Sequence, residues 1–283
     1  MGWKSCKVCK KHFTRKSKIM PENDILPGDK QIEISIIIAT YNAELYLENV
    51  IKSIIPQKSQ KVELLIIDGG SKDTTNEIIK KNESHLSYWI SEPDYGIYDA
   101  WNKGVNASKG EYIMFLGADD QLLPGALDEY IKFIEKKGHD FDIISSKLDY
   151  VNDHGGHIRF IGEPWNWNKF KMNTMSFAHP GMLHNVRLFI KNGPFDTSFK
   201  ICGDFDFLLR SHNNIIAGFL DIVTVKMQQG GVSYSVKAIV ETFKIRKKNH
   251  ILSTTKNSIR FSVDIMKFYG SKMKKTTVSL LPK

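Results

Sequence analysis

Polar and acidic residues follow four strands that the sequence predicts, each at the point where a strand ends. They occupy residues 40–42, 68–71, 92–96 and 117–120. In an open α/β sheet, ligands bind beyond the carboxyl ends of the parallel strands. The spacing therefore predicts a binding site along one edge of such a sheet.

Asp119 and Asp120 follow the apolar run at 112–116 and could hold a divalent cation. Carboxylates suit Mg²⁺ or Mn²⁺, and either ion can also coordinate the oxygens of a diphosphate. The turn at 39–44 has no glycine, so it cannot be the G-x-G-x-x-G turn of a dinucleotide dehydrogenase, and the sequence has no Walker loop. A diphosphate ligand would thus be bound through the metal. The alternative is an exposed acidic loop before Pro124.

Apolar runs alternate with helical patterns through the first half of the chain. Strands are predicted at 34–39, 62–67, 86–90 and 112–116, and helices at 43–55, 74–81 and 97–106. Alternation at these lengths indicates βαβ units and a mostly parallel sheet. Beyond it we predict helices at 124–136 and 205–211, a hairpin over 142–161, a strand at 219–225 and a basic amphipathic helix at 236–252. Residues 259–269 fit both the helical and the strand period.

Four motifs stand in order along this region: SIIIATYN at 35–42, IIDGGSKDTT at 66–75, EPDYGIYDAWNKG at 92–104 and GADD at 117–120. Together they resemble the family 2 glycosyltransferases, and among these the enzymes of the colanic-acid and amylovoran type that build bacterial exopolysaccharide and O-antigen repeat units. The resemblance extends over residues 34–232. It implies the glycosyltransferase A (GT-A) fold, an α/β architecture with a Rossmann-like, mostly parallel sheet flanked by helices, a smaller acceptor-side β region and C-terminal helices.

The resemblance also implies a donor site with Mn²⁺ or Mg²⁺ as cofactor. In it Asp68 would contact the base, Asp120 would be the principal metal ligand, and Asp119 would lie near the ribose and the metal. The whole donor-side set is Thr40, Tyr41, Asn42, Asp68, Gly69, Asp94, Asp99, Asn102, Lys103 and Asp119.

The motif ICGDFDFLLR at 201–210 resembles the family's Glu-Asp motif, whose second acid would deprotonate the acceptor hydroxyl. That acid is Asp204, and a positioned base contributes about 10²–10⁴-fold to the rate. With a metal neutralising the departing diphosphate, attack from the opposite face would invert the anomeric centre. Asp206 is an alternative base, and Asp204 could instead cap the helix. Gly203 replaces the family's first acid, and the metal motif is Ala-Asp-Asp rather than Asp-x-Asp.

The acceptor side is predicted from a histidine and two tryptophans. His179 lies where family members often meet the acceptor, although a buried structural histidine fits equally well. Trp165 and Trp167 could stack on an acceptor sugar or simply pack. The loop at 229–233 resembles a mobile loop that closes over the donor phosphates. The Gln-x-x-Arg-Trp signature and the membrane helices of processive synthases are absent, which favours the transfer of one sugar per binding event.

The charge distribution bears on the partners of the protein. Hydrophobic residues make up 41% of the 283 residues and charged residues 25%, which excludes a disordered or fibrous class. The first 20 residues carry seven Lys or Arg and no acid, and residues 242–283 carry eleven Lys or Arg and one acid. The two tails together therefore have a charge of +17. Since the net charge of the chain is +9, residues 21–241 have a charge of −8. This pattern argues against nucleic-acid binding. It fits docking of the basic tails on an anionic membrane surface or, alternatively, tails that only confer solubility.

The N-terminal region offers a weaker signal. Cys6, Cys9 and His12 are three of the four ligands that a zinc knuckle needs, and a basic arm is the alternative reading. The three cysteines of the chain and the lack of a signal-peptide pattern predict a cytoplasmic protein. The basic tails predict that it is peripheral at the inner face of the cytoplasmic membrane.

We therefore predict an inverting, non-processive glycosyltransferase that moves one sugar from a nucleotide sugar, with UDP favoured, to a lipid-linked or glycan acceptor. The predicted organisation is a basic extension at 1–31, a glycosyltransferase domain at 32–235 with its donor half at 32–120 and acceptor half at 121–235, and basic helices at 236–283. The alternatives are a sugar-phosphate nucleotidyltransferase and a non-catalytic nucleotide-sugar-binding protein.

Overall fold

The computed structural model describes residues 32–172, 178–230 and 233–279, with side chains up to residue 271. Residues from 32 onward form one compact unit. The cysteines at 6 and 9 and His12 lie outside the described residues, as do the N-terminal basic extension and two residues of the loop at 229–233. Their predicted roles stay predictions, as does the division of the chain at residues 120 and 235.

Nine strands in the described part of the chain form one mixed sheet in the order β3-β2-β1-β4-β8-β6-β9-β5, with β7 paired to β6. The strands are β1 Ile34–Thr40, β2 Val62–Asp68, β3 Tyr88–Ser91, β4 Tyr112–Gly117, β5 Gln121–Leu122, β6 Ile143–Val151, β7 His157–Ile161, β8 Leu183–Asn185 and β9 Ala217–Gln228. β1 to β4 are mutually parallel, and antiparallel pairs begin at β4 and β8. The predicted parallel sheet of the first half and the hairpin of the second are confirmed.

The continuous apolar runs of β1 and β2 place both strands in the centre of the sheet. Every residue of β2 is buried, as are six of the seven in β1. Strands buried on both faces read as unbroken apolar runs, because helices cover each face of a parallel sheet. The register pairs Thr40 with Asp68 and Ala39 with Gly117. Three strands thus end side by side, and the loops that follow them share one edge.

Helices cover both faces of the sheet. In the described residues they are α1 Leu47–Ile54, α2 Thr75–Lys81, α3 Ile97–Ala107, α4 Ala126–Lys137, α5 Trp167–Phe170, α6 Val186–Asn192, α7 Gly203–Leu209, α8 Val236–Lys248 and α9 Thr254–Ser279. The apolar stripe of α1, at Leu47, Val50, Ile51 and Ile54, is fully buried. A Cβ atom at Gly104 of α3 would lie 2.5 Å from Cγ2 of Ile37, so this glycine lets the helix pack closely against β1.

The C-terminal region is helical where the sequence pattern was ambiguous. Residues 259–269 belong to α9, which packs against α8. The predicted helix at 236–252 ends earlier, at Lys248, and the one at 205–211 begins earlier, at Gly203. Among the described residues, no helix combines the length and the apolar character needed to cross a membrane.

Candidate functional site

Backbone hydrogen bonds join the three loops that leave the ends of β1, β2 and β3. The backbone N–H of Gly69 donates to the carbonyl of Thr40 at 2.9 Å, and that of Glu92 donates to the carbonyl of Asp68 at 3.0 Å. The side chains that follow these strands therefore lie along one rim of the sheet, as the sequence predicted.

Asp68 is fully buried at the end of β2 and organises the turn that follows it. Its Oδ2 accepts from the backbone N–H of Gly70 at 3.0 Å, from that of Ser71 at 2.9 Å and from the Ser91 hydroxyl at 2.6 Å. Its Oδ1 accepts from the Ser71 hydroxyl. A carboxylate has about four acceptor positions shared between two oxygens. Oδ1 accepts only one of these four hydrogen bonds and Oδ2 accepts three, so a further donor would have to approach Oδ1.

The loop after β1 presents one side chain to solvent and uses another to hold its shape. Tyr41 is 62% exposed. Asn42 has φ +48°, donates its backbone N–H to the Ser71 hydroxyl at 2.8 Å, and accepts from the backbone N–H of Lys72 at 2.9 Å. Thr40 is buried, and its hydroxyl has no partner among the described residues. Tyr41 is therefore open to a ligand, and the buried Thr40 hydroxyl has unused hydrogen-bonding capacity, whereas Asn42 joins the first two loops.

Asp94 reaches across to the turn after β2. A Cβ atom at Gly69 would lie 2.6 Å from Oδ2 of Asp94, so only glycine lets this carboxylate approach the backbone there. Oδ1 of Asp94 accepts from the backbone N–H of Gly96 at 2.8 Å, which fixes the carboxylate in place. The structure therefore brings together the predicted donor-side residues Asp68, Gly69 and Asp94.

The remaining donor-side residues of the third motif have partners of their own. Lys103 Nζ lies 2.8 Å from Glu92 and 3.8 Å from Asp99 Oδ2, so it faces the predicted rim. The amide of Asn102 donates to the carbonyl of Phe195 at 3.0 Å and accepts from its backbone N–H at 2.9 Å. Both ends of this amide are thus used to join α3 to the segment before α7, and the geometry does not support a ligand contact for Asn102.

Asp119 and Asp120 place two carboxylates beside the glycine that ends β4. A Cβ atom at Gly117 would lie 2.8 Å from Oδ1 of Asp119 and 3.0 Å from Oδ2 of Asp120, so the glycine lets both converge. Asp119 is exposed, whereas Asp120 is buried and accepts from the Gly117 N–H at 2.8 Å. Burial, reinforced by the neighbouring Asp119, raises the pKa of Asp120 to about 7. A bound cation would offset both effects.

This pair fits a divalent ion that is shared with a ligand. Within the described ranges, no group of three or more His, Cys, Asp or Glu side chains could enclose a metal alone. Mg²⁺ commonly takes one or two protein carboxylates and completes its shell with phosphate oxygens and water. The pair at 119–120 matches that donor set, and it does not form a closed structural site.

Asp204 and Asp206 lie on the same helix, α7, in different surroundings. Asp206 is fully buried, pairs with Arg210, lies 3.0 Å from Lys248 Nζ and accepts from the Asn249 amide at 2.8 Å. Asp204 is half-buried and lines a cavity. Asp206 is thus fully engaged in holding α7, and Asp204 is the acid that can reach a ligand.

Tyr98, which the sequence interpretation overlooked, lies against Asp204. Its hydroxyl oxygen is 2.7 Å from the carbonyl of Ile201 and 3.1 Å from Oδ1 of Asp204. Burial raises the pKa of Asp204 above its ordinary value, and the hydrogen bonds to Asp204 oppose this increase. A Cβ atom at Gly203 would lie 2.8 Å from the Tyr98 ring. The absence of a side chain at position 203 was the one sequence signal that could have indicated a close neighbour.

His179 stacks on Trp101, with ring centroids 5.2 Å apart, and lies 5.0 Å from the buried ring of His184. Burial lowers the pKa of His179 to about 4, so the ring is neutral at ordinary pH. Its Nε2 is buried without a partner among the described residues. His179 lines the same cavity as Asp204. It is therefore packed against aromatic rings and also borders the cavity that Asp204 lines.

The two tryptophans pack against neighbouring rings. Trp165 lies on Phe170, with ring centroids 4.6 Å apart, and Trp167 lies 6.0 Å from the His212 ring. Both pack on the apolar core that contains α7. These contacts match the packing alternative, and stacking on an acceptor stays a prediction.

The cavity beside Asp204 has a volume of about 420 Å³. Side chains from α7, α8 and α9 line it, together with residues near His179. The contribution of α9 could not be read from the sequence, because its pattern fitted two periods. Pockets of about 300–1,000 Å³ are typical small-molecule sites.

The chain is similar to known proteins in sequence and in fold. Residues 35–191 match the family described as Glycosyl transferase family 2. A "PGL/p-HBAD biosynthesis glycosyltransferase" of Mycobacterium bovis is 26% identical over 219 residues, which cover 71% of this chain and 79% of that protein. A Mycobacterium tuberculosis protein named as an uncharacterized glycosyltransferase is 29% identical over 181 residues, covering 63% of this chain and 68% of its own length.

Solved structures share the fold, among them two with a bound nucleotide sugar. TarS of S. aureus (residues 1–349), in complex with UDP-GlcNAc, superposes with a TM-score of 0.63 at 18% identity, covering 82% of this chain and 71% of that one. The mannosyltransferase PcManGT of Pyrobaculum calidifontis, in complex with GDP-Man and Mn²⁺, superposes with a TM-score of 0.57 at 14% identity, covering 91% of this chain and 83% of that one. At these identities the likeness shows the fold alone.

Proposed function

Because the chain belongs to glycosyl transferase family 2 and has a GT-A-like fold, it is a glycosyltransferase, and we propose that it moves one sugar from a nucleoside diphosphate sugar to an acceptor hydroxyl with inversion. The observation that carries this proposal is the shared rim on which Asp68, Asp94 and the Asp119–Asp120 pair follow adjacent strand ends. Asp204 lines the cavity that we assign to the acceptor.

The rim suits a nucleoside diphosphate. Oδ1 of Asp68 can accept one more hydrogen bond, and the ring N–H of uracil is a donor of the required kind. Exposed Tyr41 can lie against a base, and Thr40 has a hydroxyl without a partner in the described part of the chain. We favour a UDP-sugar, because TarS carries UDP-GlcNAc on the same fold. A GDP-sugar is the alternative, since PcManGT binds GDP-Man.

Asp120, with Asp119, would hold Mn²⁺ or Mg²⁺. The ion would supply Lewis-acid stabilisation of the departing diphosphate. Asp120 is fixed by the Gly117 N–H, so its carboxylate is already oriented toward the position that it shares with Asp119. A preorientated ligand costs less to bind than a mobile one.

Asp204 would accept the proton of the acceptor hydroxyl. Its surroundings raise its pKa, which makes its ionised form a stronger base than an exposed aspartate. Asp206, the alternative, is enclosed by cationic and amide partners. Attack by a hydroxyl activated on the face opposite the diphosphate inverts the anomeric centre, so a single base and no covalent intermediate are needed.

The acceptor that we propose is a lipid-linked or glycan molecule of bacterial surface polysaccharide synthesis, modified by one sugar at a time at the inner face of the cytoplasmic membrane. α9 supports the membrane part, because Ile259 and Met266 are 61% and 65% exposed and lie seven residues apart on one side of the helix. Exposed Lys256 and Lys267 accompany them. Apolar and basic groups on one helical face are typical of helices that lie on anionic membranes.

The donor is identified by a thermal-shift screen of UDP-, GDP- and dTDP-sugars with and without Mn²⁺. We expect one nucleotide class to raise the melting temperature only when Mn²⁺ is present. The nucleotide sugar that binds should then be hydrolysed slowly without an acceptor. Stabilisation by none of these donors would contradict the proposed function.

Membrane docking is tested by sedimentation with vesicles of phosphatidylserine and phosphatidylcholine. We expect the protein to sediment with mixed vesicles at low salt and to remain in the supernatant with phosphatidylcholine alone. Lys256→Glu combined with Lys267→Glu should weaken sedimentation, whereas Lys132→Glu on α4 should not. Equal sedimentation of both variants would exclude α9 as the docking helix.

A further inference from the structure

We propose that Glu241 is a positioning residue for the base, because its carboxylate holds the backbone segment that enters α7 and so fixes where Asp204 lies. This inference rests on the proposed function, since it takes Asp204 as the base. Glu241 does not line the cavity itself. The described residues of α8 that do so are Ala238, Ile239, Thr242 and Arg246.

The carboxylate of Glu241 accepts hydrogen bonds from three consecutive backbone N–H groups. Its Oε1 accepts from Lys200 at 2.9 Å. Its Oε2 accepts from Ile201 and from Cys202, each at 2.9 Å. Hydrogen bonds to an ionised acceptor are roughly twice as strong as those between neutral groups. One side chain of α8 therefore holds the whole segment at 200–202.

Helix α7, which follows this segment, begins without a side-chain cap. Cys202 precedes the helix, and its side chain makes no capping hydrogen bond to the first turn. Such caps commonly fix the backbone at the start of a helix. Here the backbone is fixed by a carboxylate from another helix. The N–H of Cys202 lies two residues before Asp204, so a shift of the segment would move the base with it.

Tyr98 contacts the same segment from α3. Its hydroxyl oxygen lies 2.7 Å from the carbonyl oxygen of Ile201 and 3.1 Å from Oδ1 of Asp204. Ile201 is thus held through its N–H by Glu241 and contacted through its carbonyl by Tyr98. The contact between Tyr98 and Asp204 depends on the position of this segment, and Glu241 sets that position from α8.

Lys200 connects the segment to the donor side. Its backbone N–H is bound by Glu241, and its ammonium group donates to the carbonyls of Tyr95 and Thr197. Tyr95 belongs to the loop after β3, directly after Asp94 of the rim. The segment that Glu241 holds therefore connects the donor loop with the base. In such a place a misplacement of about 1 Å can lower the rate about 10²-fold.

The test uses two substitutions that separate the reach of the side chain from its charge. Glu241→Gln keeps the reach and one oxygen, which can still accept from Ile201 and Cys202. Glu241→Asp keeps the charge but is shorter by one carbon. We expect kcat to fall at least about 10-fold in Glu241→Asp and about 3-fold in Glu241→Gln, with the donor KM unchanged in both. Unchanged kcat in Glu241→Asp, or a loss in Glu241→Gln as large as in Glu241→Asp, would overturn the inference.

Turnover is measured on the full chain as release of nucleoside diphosphate from the nucleotide sugar that the thermal-shift screen identifies. Mn²⁺ is present, and water serves as the acceptor. The control is Glu48→Ala on α1, whose carboxylate accepts from Lys81 at 3.1 Å and from Asn82 at 3.0 Å. This variant should lower stability to urea and leave kcat unchanged. A loss of kcat equal to that of Glu241→Asp would overturn the inference, because general destabilisation would explain both.

Combination with Asp204→Asn gives a second readout. A residue that acts through Asp204 should have little effect once Asp204 cannot accept a proton, so Glu241→Asp should change the residual kcat of Asp204→Asn less than about 2-fold. The same fold-loss in both backgrounds would overturn the inference. If Glu241→Asp fails to fold, Glu241→Gln takes its place in this comparison, and its loss of about 3-fold should likewise vanish in Asp204→Asn.

Failure of the inference is distinguishable from failure of the proposed function. A protein that hydrolyses no nucleotide sugar, or an Asp204→Asn variant with normal turnover, contradicts the proposed function itself. Normal kcat in a folded Glu241→Asp protein, together with impaired Asp204→Asn, removes only the role of Glu241.

Discussion

The hydroxyl oxygen of Tyr98 lies 3.1 Å from Oδ1 of Asp204, across 106 positions of sequence. Tyr98 is on the first turn of α3, directly after the donor-side loop, and Asp204 is on the first turn of α7. The contact therefore connects the part of the chain that would hold the donor to the residue that would activate the acceptor.

Tyr98→Phe tests whether this contact tunes the base. The hydrogen bond from Tyr98 favours the ionised form of Asp204, so its loss should raise the pKa of Asp204 further. Because the base works only when ionised, activity falls as the pH drops through that pKa. The acidic limb of the kcat profile should therefore move to higher pH, and kcat should fall most at the pH values of that limb. A purely structural tyrosine would leave the position of that limb unchanged.

Asp204→Asn should keep the donor bound and lose at least about 10²-fold in kcat, because the amide cannot accept the proton. The measurement is initial-rate kinetics together with calorimetry of the donor. The wild-type acidic limb should also disappear in this variant. Near-normal turnover would remove Asp204 from the mechanism.

Asp120→Ala should abolish the dependence of donor binding on Mn²⁺. Asp120 is the buried and fixed member of the carboxylate pair, so we expect it to contribute more than exposed Asp119. Calorimetry of the nucleotide diphosphate with and without Mn²⁺ gives the difference directly. Asp128→Ala, an acid of the first turn of α4, is the control and should retain the metal dependence. Retained dependence in Asp120→Ala would place the metal elsewhere.

Asp206→Asn should lower the free energy of unfolding by about 3 kcal/mol, because it leaves the cations of Arg210 and Lys248 without their buried carboxylate. Asp196→Asn, which alters a more exposed partner of the same lysine, should cost less than about 1 kcal/mol. Urea unfolding measures both. Equal losses of unfolding free energy in the two variants would show that the burial of Asp206 does not increase its contribution to stability.

Much of the donor side could be predicted because local sequence determines it. The β-branched runs of β1 and β2 specify central strands, and polar residues at the end of a parallel strand lie on one edge in any such sheet. The alignment of Thr40 with Asp68 follows from that rule. A motif of contiguous residues carries this information without reference to the rest of the chain.

The acceptor side could not be predicted as well, because it is formed by contacts between segments that are distant in the sequence. Asn102 follows a donor motif, yet its amide binds the backbone of Phe195, and no local pattern announces that partner. The sequence favoured Asp204 over Asp206 only by its place in the motif, and it gave no sign that Lys248 and Asn249 pack on Asp206 and engage it fully. α9 lines the cavity, but the apolar residues at 259–269 fitted both the helical and the strand period. The surface against which this segment packs decides between the two, and the local sequence does not describe that surface.

The close approach of the Tyr98 ring to the backbone of Gly203 has a consequence for related sequences. The aromatic ring and a glutamate at position 203 would compete for the same volume, so no single chain can carry both without moving α3 away from α7. The two positions should co-vary across the family: sequences that keep the acidic pair should have a smaller residue where Tyr98 stands, and those with glycine should retain an aromatic ring.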